Sequence, residues 1–275
     1  MTAAAEYLHI AQPSLSLAIK ELESEFGTPL FQRAHRGMHL TEAGRQFLDM
    51  SRDIVGRMES AEKRMKDLGR DSKELTLGIP PMIGSLVLPV IYSGFISENP
   101  DVRLQIVECG REEMRKKIAD GQLDMAFIAH DRSVESDVAS LRLGTLELVC
   151  AATPGRLHPK GEAISAGDLA DTPLVLFKDG FFQTNMLKAW FAKSGVEPLV
   201  LLKTDQLSTL TKLIASGTAA GFLFRRLPEE SGRLDHYPLS PPLSVGVSLL
   251  WQKNAFFSSS MKRFKAFLEK TDLFS

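Results

Sequence analysis

The sequence predicts an α + α/β protein in three parts. They are a small N-terminal helical unit with a basic two-stranded wing, one long helix built to pair with another, and two α/β units facing a cleft. Three observations carry that expectation. Gln12-Pro13-Ser14-Leu15-Ser16 is a polar helix start followed by an apolar stripe. Phe47, Ser51, Ile54, Met58, Ala61, Met65 and Leu68 alternate spacings of four and three residues. From Lys73 onward, strand-like apolar runs alternate with helical segments, the pattern of a parallel sheet covered by helices.

Composition narrows the class. The 275 residues are 44% hydrophobic and 24% charged, enough for ordinary cores and about two domains. A net charge of −1 argues against indiscriminate coating of nucleic acid, so any DNA contact must be local. The 2 cysteines, Cys109 and Cys150, make neither a disulfide framework nor a metal cluster. No apolar run reaches the ~18 residues of a membrane span. The start lacks the basic and apolar regions of a signal peptide. A cytoplasmic protein without membrane attachment is expected.

Residues 2–8 and 12–26 read as two short helices joined at His9-Ile10-Ala11. In the second, Leu15, Ile19, Leu22 and Phe26 form one inward stripe, and Pro13 suits a first helical turn. Its outward positions are Gln12, Ser14, Ser16, Leu17 and Lys20. Glu21, Glu23 and Glu25 would repel phosphate, so only the N-terminal end, the positive pole of the helix dipole, can approach DNA. Gln32–Leu40, with Arg33, His35, Arg36 and His39 around Gly37, reads as a basic wing. Thr41 then caps a third helix. Its narrow apolar seam, flanked by charged faces, favours pairing with another helix over lying on its own domain.

The α/β region reads as a strand at Leu75–Ile79, a helix at Gly84–Glu98 ending before Asn99-Pro100, a strand at Val102–Glu108, a helix at Glu112–Ala119 and a strand at Met125–Ile128. A second set runs through Leu174–Phe177, Thr184–Ala192, Leu199–Leu202, Leu207–Ala215 and Gly221–Phe224. Val245–Trp251 and an amphipathic helix at Phe257–Glu269 follow. Ligands of open parallel sheets bind beyond the strands' carboxyl ends. The cleft candidates there are apolar (Met82, Ile83, Phe177, Phe181, Phe182 and Phe224), with Gly84 and Gly180 in the connecting turns. The polar candidates are few: Ser85 with nearby amides at a helix start, His130, Thr204 and Gln206. Helix-start amides and aromatic walls suit an organic acid.

Five linked blocks resemble the LysR-type transcriptional regulators: Thr2-x-Ala4-Ala5-x-x-Leu8, Gln12-Pro13-Ser14-x-Ser16, Ile19-x-x-Leu22-Glu23, Gly27-x-Pro29-Leu30-Phe31-x-Arg33 and Leu40-Thr41-x-Ala43-Gly44. Ile214–Gly221 is similar to the family's small-residue helix-to-strand turn. The resemblance implies a winged helix-turn-helix at 1–45 and a linker helix at 41–72 dimerising through Phe47, Ile54, Met58, Ala61, Met65 and Leu68. It further implies a two-lobed periplasmic-binding-protein-like α/β effector domain at 73–275, with lobe I at 73–155 and 240–275 and lobe II at 156–239. The implied partners are double-stranded promoter DNA, a small effector between the lobes, and copies of the chain in a dimer or tetramer. Base-facing positions carry over to Gln12, Pro13, Ser14, Ser16 and Leu17, and phosphate-positioning ones to Lys20, Arg33 and Arg36. Leu17 departs from the basic residue that many members carry there; it can meet a thymine methyl but cannot read guanine.

Members of the family carry another helix before the position of Thr2. The expectation is therefore an N-terminally incomplete DNA-binding unit, by a misplaced start codon, trimming or genuine truncation. Ala5, Leu8, Leu15 and Ile19 would then lose apolar cover, at ~1–3 kcal/mol for each large side chain left wet. The alternative reading is a truncated ligand-binding dimer that senses its effector but binds DNA poorly. An enzyme is not expected: G-x-S-x-G, P-loop, G-x-G-x-x-G and H-E-x-x-H motifs are all missing, and no cofactor or metal is called for. A transporter's solute-binding protein would need neither residues 1–70 nor a cytoplasmic start.

Overall fold

The structure, a computed structural model, describes residues 4–5, 10–34, 37–69, 73–131, 138–159, 161–253 and 257–274. The chain divides into two compact units, Met1–Ala61 and Glu62–Ser275.

In the first unit, helix α1 spans Gln12–Phe26 with Pro13 in its first turn, as expected. Its stripe of Leu15, Ile19 and Leu22 is half-buried. Gly27 ends it in the left-handed region at φ 61°, where a side chain is disfavoured. Strands β1 (Phe31–Ala34) and β2 (Gly37–Leu40) pair antiparallel and form the wing. Glu23 holds the turn before it: its carboxylate accepts the backbone N–H groups of Leu30 and Phe31 at 2.8 and 3.0 Å. Thr41 caps helix α2 (Glu42–Gly69), its hydroxyl accepting from Gly44 N–H at 2.9 Å and donating to Pro29 C=O at 2.7 Å. Gly44 is required there, because a Cβ would lie 2.0 Å from the Leu30 carbonyl oxygen. Most of the first predicted helix, the wing residues His35 and Arg36, and the side chains of Arg33, Ala61 and Leu68 lie outside the described residues and side chains.

The second unit is built on one continuous sheet. Its elements are β3 (Glu74–Ile79), α3 (Pro81–Val90), β4 (Arg103–Glu108), α4 (Arg111–Ala119), β5 (Met125–His130) and β6 (Val138–Ala152), then β7 (Ile164–Ser165), β8 (Leu174–Phe177), α5 (Phe182–Lys193), β9 (Val200–Thr204) and α6 (Leu207–Ala215), and finally β10 (Ala220–Phe224), α7 (Arg226–Ser231), β11 (Asp235–Gln252) and α8 (Ser259–Lys270). The strand order is β4-β3-β5-β11-β6-β10-β8-β9, with β7 on β11. β3, β4 and β5 are mutually parallel, as are β8, β9 and β10. Each set makes one lobe, and β6 and β11 run antiparallel between them. Residues of β8 and β10 are buried throughout, which is why these strands read as unbroken apolar runs.

Three expectations are corrected. Helix α3 begins at Pro81, three residues before Gly84, because proline fits the first turn, where no amide partner is needed. At its far end Pro89 has no N–H for the Ser85 carbonyl, and the helix widens into a π-type turn over Ile91–Ile96. Finally, β6 and the first half of β11 are long strands where the sequence reading placed none. Pro238, Pro241 and Pro242 make β11 look like a loop, and the strand accommodates them with a register shift between Pro238 and Leu243.

Candidate functional site: the slot between the lobes

The carboxyl ends of the two parallel sets converge on a narrow slot. Its walls are Met82 and Ile83 from the first turn of α3, Arg111 and Met114 from α4, and Phe127, Ile128 and Ala129 ending β5. Phe181, Phe182 and Gln183 at the start of α5 and Phe224 ending β10 face them. The enclosed space is about 10 Å³, room for about one water. Outside lies a mouth of about 500 Å³ lined by Glu108, Gly110, Glu112, Lys178, Asp179, Asp205 and Gln206, among others.

A backbone contact closes the slot. Arg111 N–H donates to Gly180 C=O at 3.2 Å, bridging the lobes. Gly110 allows this approach, since a Cβ there would sit 2.8 Å from the Gly180 oxygen. Gly180 itself takes φ 97°, a conformation suited to glycine. The Arg111 guanidinium lies over the Phe182 ring, 5.2 Å from its centroid. At the rim, Lys178 pairs with Asp205 at 2.5 Å, and Asp179 lies between Lys188 at 2.7 Å and Lys203 at 3.2 Å. The lysines' hydrogen bonds hold both carboxyls below the usual aspartate range.

Of the residues predicted for the effector site, the structure gathers Met82, Ile83, Phe181, Phe182 and Phe224 around the slot, with Gly180 and Gln206 at the mouth. It sets Gly84, Ser85, His130, Phe177 and Thr204 apart from the slot lining. Ser85 is exposed and its hydroxyl donates to Met82 C=O at 2.9 Å; Gly84 N–H is already bonded to Pro80 C=O at 2.8 Å. The expected anion-binding amides therefore do not sit at Gly84-Ser85, because the helix starts earlier. His130 Nε2 lies 2.9 Å from Ser248 Oγ, its ring against Gly246, where a Cβ would be 2.6 Å away. Phe177 stacks on Phe181 with centroids 5.0 Å apart, and Thr204 Oγ1 accepts from Gln206 N–H. Sequence reasoning missed Arg111 and Gln183, although Arg111 directly follows the strand end Glu108-Cys109-Gly110, which it did single out.

The thiols contribute little chemistry. Burial and then the Glu113 charge push Cys109 up to about 11, and burial pushes Cys150 up to about 12. Among the described residues no three His, Cys, Asp or Glu side chains gather as a metal site. No helix among them is long and apolar enough to cross a membrane.

On the first unit, Gln12, Pro13, Ser14, Leu17 and Lys20 are exposed along the start and outer face of α1, and Ser16 is half-buried. On α2, Phe47 is half-buried and meets Phe26 at 5.0 Å, whereas Ile54, Met58 and Met65 are 67%, 64% and 68% exposed.

Comparison with known proteins agrees with this architecture. Residues 1–45 match the bacterial regulatory helix-turn-helix protein, lysR family, and residues 68–272 match the LysR substrate binding domain. An uncharacterized HTH-type transcriptional regulator of Bacillus subtilis (strain 168), YcgK, is 30% identical over 78% of this chain and 72% of its own. The crystal structure of CbnR, a LysR family transcriptional regulator, superposes with a TM-score of 0.68 at 19% identity, covering 98% of this chain and 93% of CbnR. The effector binding domain of QuiR in complex with shikimate gives a TM-score of 0.60 at 18% identity over 71% of this chain and 94% of that domain. The chain belongs to the LysR family: it is a DNA-binding transcriptional regulator with an effector-binding domain, not an enzyme.

Proposed function

We propose that this regulator senses an organic acid in the slot between lobe I (73–155 and 240–275) and lobe II (156–239), and transmits its presence to promoter DNA held by α1 and the wing. The observation that carries the reading is the slot itself. It lies at the strands' carboxyl ends, walled by Met82, Ile83, Phe181 and Phe224, with one cation, Arg111, at its edge. Such a surface suits an apolar body with a carboxylate at one end. The first turn of α4 adds the positive end of its dipole beside Arg111. Entry requires the Gly110–Gly180 contact to part, which couples occupancy to the angle between the lobes.

On DNA, Gln12 contacts an adenine edge, Pro13, Ser14, Ser16 and Leu17 complete the face towards the bases, and Lys20, Arg33 and Arg36 hold phosphates. The seam of Phe47, Ile54, Met58, Ala61, Met65 and Leu68 joins two copies, and two dimers make a tetramer.

A thermal-denaturation screen of organic acids tests the sensing half. Shikimate is a natural first probe, being a cyclic carboxylate bound by a protein of this fold. A true effector at a hundredfold excess over its Kd adds about 2.7 kcal/mol to native stability. If no acid raises the melting midpoint while cationic or uncharged compounds do, the carboxylate reading is wrong.

A further inference from the structure

We propose that the Gln183 carboxamide reads a neutral hydrogen-bonding substituent, a hydroxyl or keto oxygen, on the acid that fills the slot; this rests on the slot being the effector site. Gln183 is the second residue of α5 and only 6% exposed, yet its carboxamide has no hydrogen-bond partner among the described residues. Neighbouring buried polar groups are satisfied. Thr184, fully buried, donates to Phe177 C=O at 3.0 Å, Ser248 pairs with His130, and Ser258 caps α8.

A buried amide without a partner destabilises the native state, because it has given up water and gained nothing. Its surroundings would accept an apolar side chain readily: Met82, Ile83, Met114, Phe181 and Phe224 line the same space. A carboxamide offers two donors and one acceptor while carrying no charge. It therefore matches a hydroxyl or a carbonyl better than a carboxylate, which Arg111 on the facing wall takes. The first-turn backbone N–H of Gln183 has no acceptor within its own helix and adds a second donor at the same point. A site that must satisfy a buried amide discriminates strongly against a ligand lacking the matching group.

The test compares the full-length chain with Gln183→Met, using Gln183→Leu as a second apolar replacement. Each is titrated with matched acids: shikimate against cyclohex-1-ene-1-carboxylate, 3-hydroxybenzoate against benzoate, and mandelate against phenylacetate. The wild type is expected to prefer the oxygenated member of at least one pair. Both variants should lose that preference by about tenfold or more. Without ligand both should melt at a higher temperature than the wild type, since no hydrogen bond is removed. Equal affinity of the wild type for both members of every pair it binds overturns the role of Gln183 but leaves the slot intact as an acid site. So does a lower melting temperature in both unliganded variants, the mark of a structural amide. Binding of none of the six acids by the wild type overturns both readings.

Discussion

The two units of the chain spend their apolar residues in opposite ways. In the effector unit, β8 and β10 are buried on both faces, and a single core cluster runs across both lobes. In the first unit, no side chain of α1 is fully buried, and α2 leaves Met50, Ile54, Val55 and Met58 largely in solvent. Apolar area kept from water supplies roughly 25 cal/mol per Å². The effector unit collects this stabilisation within one chain, whereas the seam of α2 can collect it only from a second helix. The difference teaches that the first unit's surfaces are made for partners and the second unit's for itself, the slot excepted.

The largest expected effect that sharpens this contrast is at Gly44. With its Cβ position 2.0 Å from the Leu30 oxygen, Gly44→Val should separate α2 from the turn before the wing, at about 3 kcal/mol or more. Operator binding should be lost while acid-induced stabilisation of the effector unit persists. Loss of both would mean the units do not fold independently.

A smaller effect is expected at the seam. Met58→Glu should weaken self-association by about 2 kcal/mol, roughly 30-fold in dissociation constant, measured by sedimentation equilibrium. An unchanged constant would place the dimer contact elsewhere.

The smallest lies between β6 and β10, inside the effector unit. Arg225 grips Glu147 with two hydrogen bonds, 2.7 and 2.8 Å, and these hold the Glu147 carboxyl below its ordinary range. A carboxylate with a lowered folded pKa stabilises the protein above its unfolded pKa, and that contribution disappears as pH falls through the folded value. Both side chains are about one-third exposed, so screening reduces the worth to about 0.5–1 kcal/mol. Glu147→Gln should lower the melting midpoint at neutral pH and flatten its decline on acidification below about pH 4.5. Parallel acid limbs for wild type and variant would show that the pair contributes nothing.

Much of the fold was legible because its strands are short buried runs and its helices carry periodic stripes. Leu207–Ala215 coincides with the helix found, and most other ends agree within three residues. The crossing strands were hidden by Pro238, Pro241 and Pro242, and by a pairing between residues that only the tertiary fold brings together. The slot divides the same way. Its apolar walls follow from local runs ending in Phe181, Phe182 and Phe224. Its polar groups do not: nothing local says that Arg111 faces an aromatic ring, or that Gln183 is buried without a partner. His130 illustrates the converse, since a serine 118 residues away occupies it.

The most direct measurement of how this chain acts is binding of wild type and Gln12→Ala to its own upstream intergenic DNA and to random duplex, at one salt concentration. Loss of a bidentate base contact should cost about 1–3 kcal/mol on the operator, roughly ten- to a hundredfold, and leave random-DNA affinity nearly unchanged. Equal losses on both duplexes would contradict sequence reading by the start of α1.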